Sequence, residues 1–143
     1  MKPLTLLIIC LLLLGCDLRK TAPQALEAFA ERYKEANLSQ TAEPMLTLYE
    51  LEGSTENTVN MLRNALLYEL GLPIERIDFE PLSGAPEEVI EFEHKGIRYG
   101  PTLEPMLRMR VIYATENHFE SRFTIGKNSE GEWRIVSSRP VDE

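Results

Sequence analysis

The chain has 143 residues, of which 43% are hydrophobic and 27% charged; 23 acidic residues against 15 Lys and Arg give a formal charge of -8. This length suits one compact domain and not two. So acidic a balance argues against nucleic acid or anionic lipid as the main partner.

The first segment, MKPLTLLIICLLLLGC, has one positive charge at Lys2, an uncharged apolar run from Leu4 to Leu14, and Gly15 just before Cys16. This is the plan of an export signal. A bilayer-crossing helix needs roughly twenty apolar residues, and Asp17, Arg19 and Lys20 end this run well short of that. Leu13, Leu14, Gly15 and Cys16 resemble the lipobox of bacterial lipoproteins. The resemblance implies cleavage after Gly15, a diacylglyceryl group on the Cys16 thiol, and acylation of the new amine with a chain such as palmitate. Two or three acyl chains, each methylene worth about 0.8 kcal/mol, anchor durably where one would not. The domain would then stand on the extracytoplasmic face of a bacterial cell membrane, the periplasmic side in a Gram-negative envelope. Asp17 resembles the inner-membrane retention signal of enteric bacteria. Cys10 lies in the removed segment and Cys16 carries lipid, so disulfides, thiolate metal sites and cysteine nucleophiles are not expected.

The expected organisation is a signal peptide over 1–15, a lipidated Cys and tether over 16–20, one domain over 21–140 and a tail over 141–143. Thr21 and Gln24 form a capping-box pattern, and Leu26, Phe29, Ala30 and Tyr33 follow at helical spacing. Thr41 and Pro44 open a second helix through Met45, Leu48, Tyr49 and Glu52, stopped by Gly53. Ser54 begins a third, with Leu62, Ala65, Leu66 and Leu70 as its stripe and Gly71 and Pro73 as terminators.

From Ile74 the period becomes alternating. Ile77 and Phe79 belong to a first strand and Val89 to Glu93 to a second, and His94 to Gly96 turn the chain into Ile97 to Tyr99. A long strand follows, with Leu103, Pro105, Leu107, Met109, Val111 and Tyr113 on one face and Met106, Arg108, Arg110 and Ile112 on the other; Pro105 must lie near its start or at an edge. Phe119 to Ile125 and Trp133 to Ser137 complete a three-stranded antiparallel meander. Helices first and strands after make the class α+β.

This order, three N-terminal helices packed on a curved antiparallel sheet that ends in a hairpin carrying GEWRIV, resembles the cone-shaped domains of the nuclear transport factor 2-like superfamily over about residues 22 to 139. The resemblance implies a pocket at the open end of the cone, in a fold that hosts enzymes and non-enzymes alike. The isomerase members imply an acid with Tyr donors. Tyr33, Tyr49, Asp78 and Tyr113 are of the right types, but none stands in a motif, and Asp78 alternates away from the Ile77 and Phe79 face.

Other constellations are weaker. His94 and His118 sit at turns, and Glu91 and Glu93 lie on the strand face opposite His94, so no metal site is expected. Arg108, Arg110, Arg122 and Glu120 suit a ladder of cross-strand ion pairs better than an anion site. Met45, Met61, Met106 and Met109 are mostly core material. The SEGE run from Ser129 to Glu132 has turn chemistry and not that of a calcium loop, and no hydrolase, zinc-protease, P-loop or dinucleotide motif occurs. No cofactor is expected.

The sequence therefore points to a membrane-anchored envelope lipoprotein whose domain binds a partner protein or a small apolar ligand without catalysis, with Tyr49, Met109, Tyr113 and Phe123 as ligand contacts. The alternatives are a pocket enzyme of the isomerase or dehydratase type, with a Tyr or His facing an Asp or Glu inside the pocket, and a structural accessory subunit with an exposed apolar patch.

Overall fold

In a computed structural model, residues 22–141 are described, Ala22 by its backbone alone. The signal segment, Cys16, the tether and Thr21 of the capping-box pattern lie outside them. Helix α1 spans Ala22–Asn37. Phe29, Ala30, Tyr33, Ala36 and Asn37 recur at three- and four-residue intervals and are all buried, which sets the helix against the core. Its end is pinned: the Asn37 side chain donates to the Leu72 carbonyl at 2.9 Å, and the Gly71 N–H donates to the Asn37 carbonyl at 2.7 Å. Gly71 has φ +81, a backbone that favours glycine.

The expected second helix is cut to α2, Glu43–Leu46. Thr47 folds its hydroxyl onto the Pro44 carbonyl, and the chain then extends into β1, Tyr49–Glu50. Met45, Leu48 and Tyr49 fit a helical period, but so short an apolar run fits a strand as well. Pairing decides it: β1 lies parallel to a later strand through Tyr49↔Ile135 and Glu50↔Val136. Helix α3 spans Glu56–Leu66 with Thr55 as its cap, accepting from the Thr58 N–H, while Ser54 donates its hydroxyl to the Ser138 carbonyl.

Strand β2 is Ile74–Pro81. The expected strand from Val89 to Glu93 is divided into helix α4, Pro86–Val89, and β3, Phe92–His94, with Ile90 between them in the left-handed region at φ 55. Pro86 at the start of α4 and the Glu88 carboxylate folded back on the preceding N–H groups favour the helical turn. Strand β4 is Ile97–Pro101. The long strand, β5, is Leu107–Tyr113 and starts later than the alternation suggests, leaving Leu103 and Pro105 in the approach. Strands β6, Glu120–Lys127, β7, Trp133–Val136, and β8, Ser138–Pro140, complete the chain.

Among the described residues the architecture is α+β, but with four helices, not three, and with a mixed sheet. Five strands run in the order β1-β7-β6-β5-β2, antiparallel except for β1 with β7, and β3-β4-β8 form a second, small sheet. The expected meander is β5-β6-β7, joined to β2 on one side and β1 on the other. Register puts Phe79, Met109 and Phe123 in one row and Ile77, Val111 and Ser121 in the next. That face packs with Phe29, Tyr33 and Met45, each with 1% or less exposed, as the hydrophobic core. Burying each such apolar side chain contributes about 1.5–3 kcal/mol.

The opposite face carries the row Asp78, Arg110, Arg122 and, beside it, Arg76, Ile112, Glu120. Arg110 holds Glu120 through two hydrogen bonds of 2.9 and 2.7 Å, and Arg122 reaches the same carboxylate at 2.6 Å. This is the cross-strand ladder that the alternation suggests. Arg108, on the same face, is withdrawn from it and buried under α4, where its Nη2 lies 2.9 Å from Glu88.

Candidate functional site

Strand β7 registers only on Ile125, Gly126 and Lys127 of β6, after which Val136 pairs with β1 and Ser137 turns away to Thr102. The half of β6 from Glu120 to Thr124 is therefore paired with β5 alone. Helix α3 lies across the resulting opening and forms one side of a half-open cavity of about 340 Å³. Leu62, Leu66, Phe123 and Ile135 give it an apolar wall. Arg122, Phe123 and Thr124 all line it although their side chains alternate between faces, as expected where a strand presents its edge.

The polar groups of this cavity lie on different walls. Glu69, in the turn after α3, accepts from the Tyr113 hydroxyl at 3.2 Å and from Ser121 at 2.8 Å. Tyr113 has one proton and gives it to Glu69, so Tyr33, 3.4 Å away, donates to Tyr113. Burial, with the Tyr113 group and its hydrogen bond adding to it, pushes the Tyr33 phenol well up; burial and then the Glu69 charge do the same for Tyr49; and burial pushes Tyr113 up to about 12. All three are hydrogen-bond donors at neutral pH. Tyr49 lines the cavity, and its hydroxyl has no hydrogen-bond partner among the described residues.

Arg108 and Arg122 also line the cavity, with Glu87 beside them. The burial of Arg108 is made possible by Glu88, 1% exposed, whose carboxylate accepts from the N–H groups of Ser83, Gly84 and Ala85 and from the Ser83 hydroxyl. These hydrogen bonds hold the Glu88 carboxyl below its ordinary value, the Ser83 backbone contributing most and Arg108 least. Thr124 closes the arrangement by donating to the Glu88 carbonyl at 3.1 Å.

Of the ligand contacts expected from the sequence, Tyr49 and Phe123 line the cavity. Met109 and Tyr113, both 0% exposed, lie in the core; Tyr113 reaches the site through Glu69. Of the isomerase-type candidates, Asp78 lies on the outer face, 3.0 Å from Arg76. His94 and His118 are both exposed and apart in the fold, and among the described residues no three His, Cys, Asp or Glu side chains gather as for a metal ion. Glu69 is not among the residues expected at a site. Glu69 had a signal, an acidic residue seven positions after Leu62 on the apolar stripe of α3. Arg108 is weighed with Arg110 and Arg122 for an anion site and assigned to the ion-pair ladder; its burial away from that ladder depends on α4.

A larger and more open groove of about 720 Å³ runs between α1 and β2. Glu27, Glu31, Lys34, Asp78 and Glu80 make it a charged channel along an edge strand, as is usual where a sheet ends. Among the described residues no helix is long and apolar enough to cross a membrane. No protein-family model matches the chain, and no curated protein matches it significantly.

Proposed function

We propose that this chain is a lipid-anchored envelope protein whose domain binds a small, largely apolar ligand in the cavity between α3 and the open half of β6. The observation that carries the reading is one concave site with an apolar wall, an unpartnered Tyr49 hydroxyl and the Glu69 carboxylate. The lipobox supports the anchor, and the short tether holds the site close to a bilayer. The α1 helix set against an antiparallel meander supports a distant likeness to the nuclear transport factor 2-like cone.

The test uses the chain purified from membranes and held in phosphatidylcholine nanodiscs, with unfolding followed by fluorescence of Trp133, the single Trp. Octanamide is expected to raise Tm in a concentration-dependent way, and Ala65→Phe, which fills the cavity from α3, to remove the response. An unchanged Tm for the parent chain with octanamide and with its carboxylate analogue octanoate, or an equal rise in Ala65→Phe, would sink the reading. A Cys16→Ala chain that is still processed and membrane-bound would overturn the anchor.

A second reading is favoured by Glu69 and Tyr49 sharing the cavity: a carboxylate base with a neutral phenol facing it is what a proton-shifting isomerase or dehydratase requires. It predicts turnover of a steroid or lactone panel that Glu69→Gln abolishes and Tyr49→Phe reduces.

A further inference from the structure

The cavity's two ends are chemically unlike. At the α3 end Glu69, Tyr113 and Tyr33 are linked to one another, whereas at the α4 end a buried guanidinium is only partly engaged. Arg108 is 6% exposed, a burial that a cation does not adopt without a partner. Its Nη2 faces Glu88 at 2.9 Å and the largely exposed Glu87 at 3.6 Å. Its Nε and Nη1 donate to no described residue, and Arg108 lines the cavity. Glu88 does not require them, since four N–H and O–H groups of Ser83, Gly84 and Ala85 already satisfy its oxygens.

Arg122 adds a second cation at the same rim. Its Nε holds Glu120 at 2.6 Å, and its side chain is 57% exposed. Between the two guanidinium groups and the wall of Leu62, Leu66 and Phe123 there is room for an anionic head on an apolar body.

We infer that the ligand of this cavity is an apolar monocarboxylate, its carboxylate held by the free edge of the Arg108 guanidinium and its body laid against α3. The planar fork of Arg matches a carboxylate with two parallel hydrogen bonds, and Glu88 fixes the fork in advance, so little freedom is lost on binding. This inference rests on the proposed ligand site and adds the chemical class.

The experiment compares octanoate with octanamide, equal in length and different in charge, on the chain in phosphatidylcholine nanodiscs, with affinities taken from the rise of Tm with concentration. Octanoate is expected to bind at least about tenfold more tightly, the scale of one charge-assisted hydrogen bond. In Arg108→Gln the two affinities become equal. If octanamide binds as well as octanoate in the parent chain, the inference is overturned while the ligand site stands. If neither binds, the site itself is refuted. Should Arg108→Gln fail to fold, the parent-chain comparison still decides, because it needs no variant.

Discussion

Glu88 on α4 and Glu69 in the turn after α3 both stand beside the same cavity, and the chain uses them in opposite ways. Glu88 is closed off, accepting from three backbone N–H groups and one hydroxyl before the Arg108 charge is counted. Glu69 accepts from two neutral hydroxyls and otherwise opens on the cavity. A buried carboxylate saturated by the backbone fixes a loop, and one held only by side-chain hydroxyls stays available to a ligand. The contrast divides the cavity into a scaffold end and a reactive end.

The largest expected effect tests the scaffold end. Glu88→Ala leaves the N–H groups of Ser83, Gly84 and Ala85 without their acceptor and Arg108 without its partner, and Tm should fall by about 10 °C or more. Glu69→Gln keeps shape and hydrogen-bonding capacity at a half-exposed position, so Tm should move by less than about 3 °C while ligand response changes. Equal thermal penalties in the two variants would break the comparison.

A smaller effect tests how the reactive end is joined to the core. Tyr113→Phe removes the hydroxyl that links Tyr33 to Glu69, and denaturant unfolding should show a loss of about 1–2 kcal/mol. Tyr33→Phe removes only the far donor and should cost less than Tyr113→Phe. The reverse order would mean that the chain of hydroxyls does not run from Tyr33 through Tyr113 to Glu69.

Much of this was legible in the sequence where a strong period acted alone. The α1 face, the β5-β6-β7 meander and the inward row of Met109, Val111 and Tyr113 follow from spacing. The failures fall where a partner distant in sequence decides. Tyr49 and Glu50 are a strand because the β7 edge is available, and Pro86–Val89 is a helical turn because Glu88 gathers the N–H groups before it. The site followed the same rule. Tyr49 and Phe123 were named from their type, but the cavity exists because β7 leaves β6 at Ile125, a register change that no local pattern announces. Ile90, a β-branched residue at φ 55 in the cavity lining, is a further cost of that arrangement and is visible only in the fold.

The smallest effect belongs to the outer ladder, a carboxylate of a third kind. Glu120 is held by Arg110 first and Arg122 next, which places its carboxyl at about 2, against 4.5 for an ordinary glutamate. Because the folded value is the lower one, the ladder's contribution is complete above about pH 4.5 and is lost as pH falls towards 2. Its size is modest, since Arg122 is largely exposed, and Glu120→Gln should cost less than about 1 kcal/mol at neutral pH. Glu88 is lowered in the same sense, so the parent chain should lose stability in acid through both groups. Denaturant midpoints measured from pH 7 to pH 3 separate them: Glu120→Gln should remove part of the acid decline and leave the rest. If the variant declines as steeply as the parent, the outer ladder is not coupled to folding, and the acid response belongs to the Glu88 scaffold.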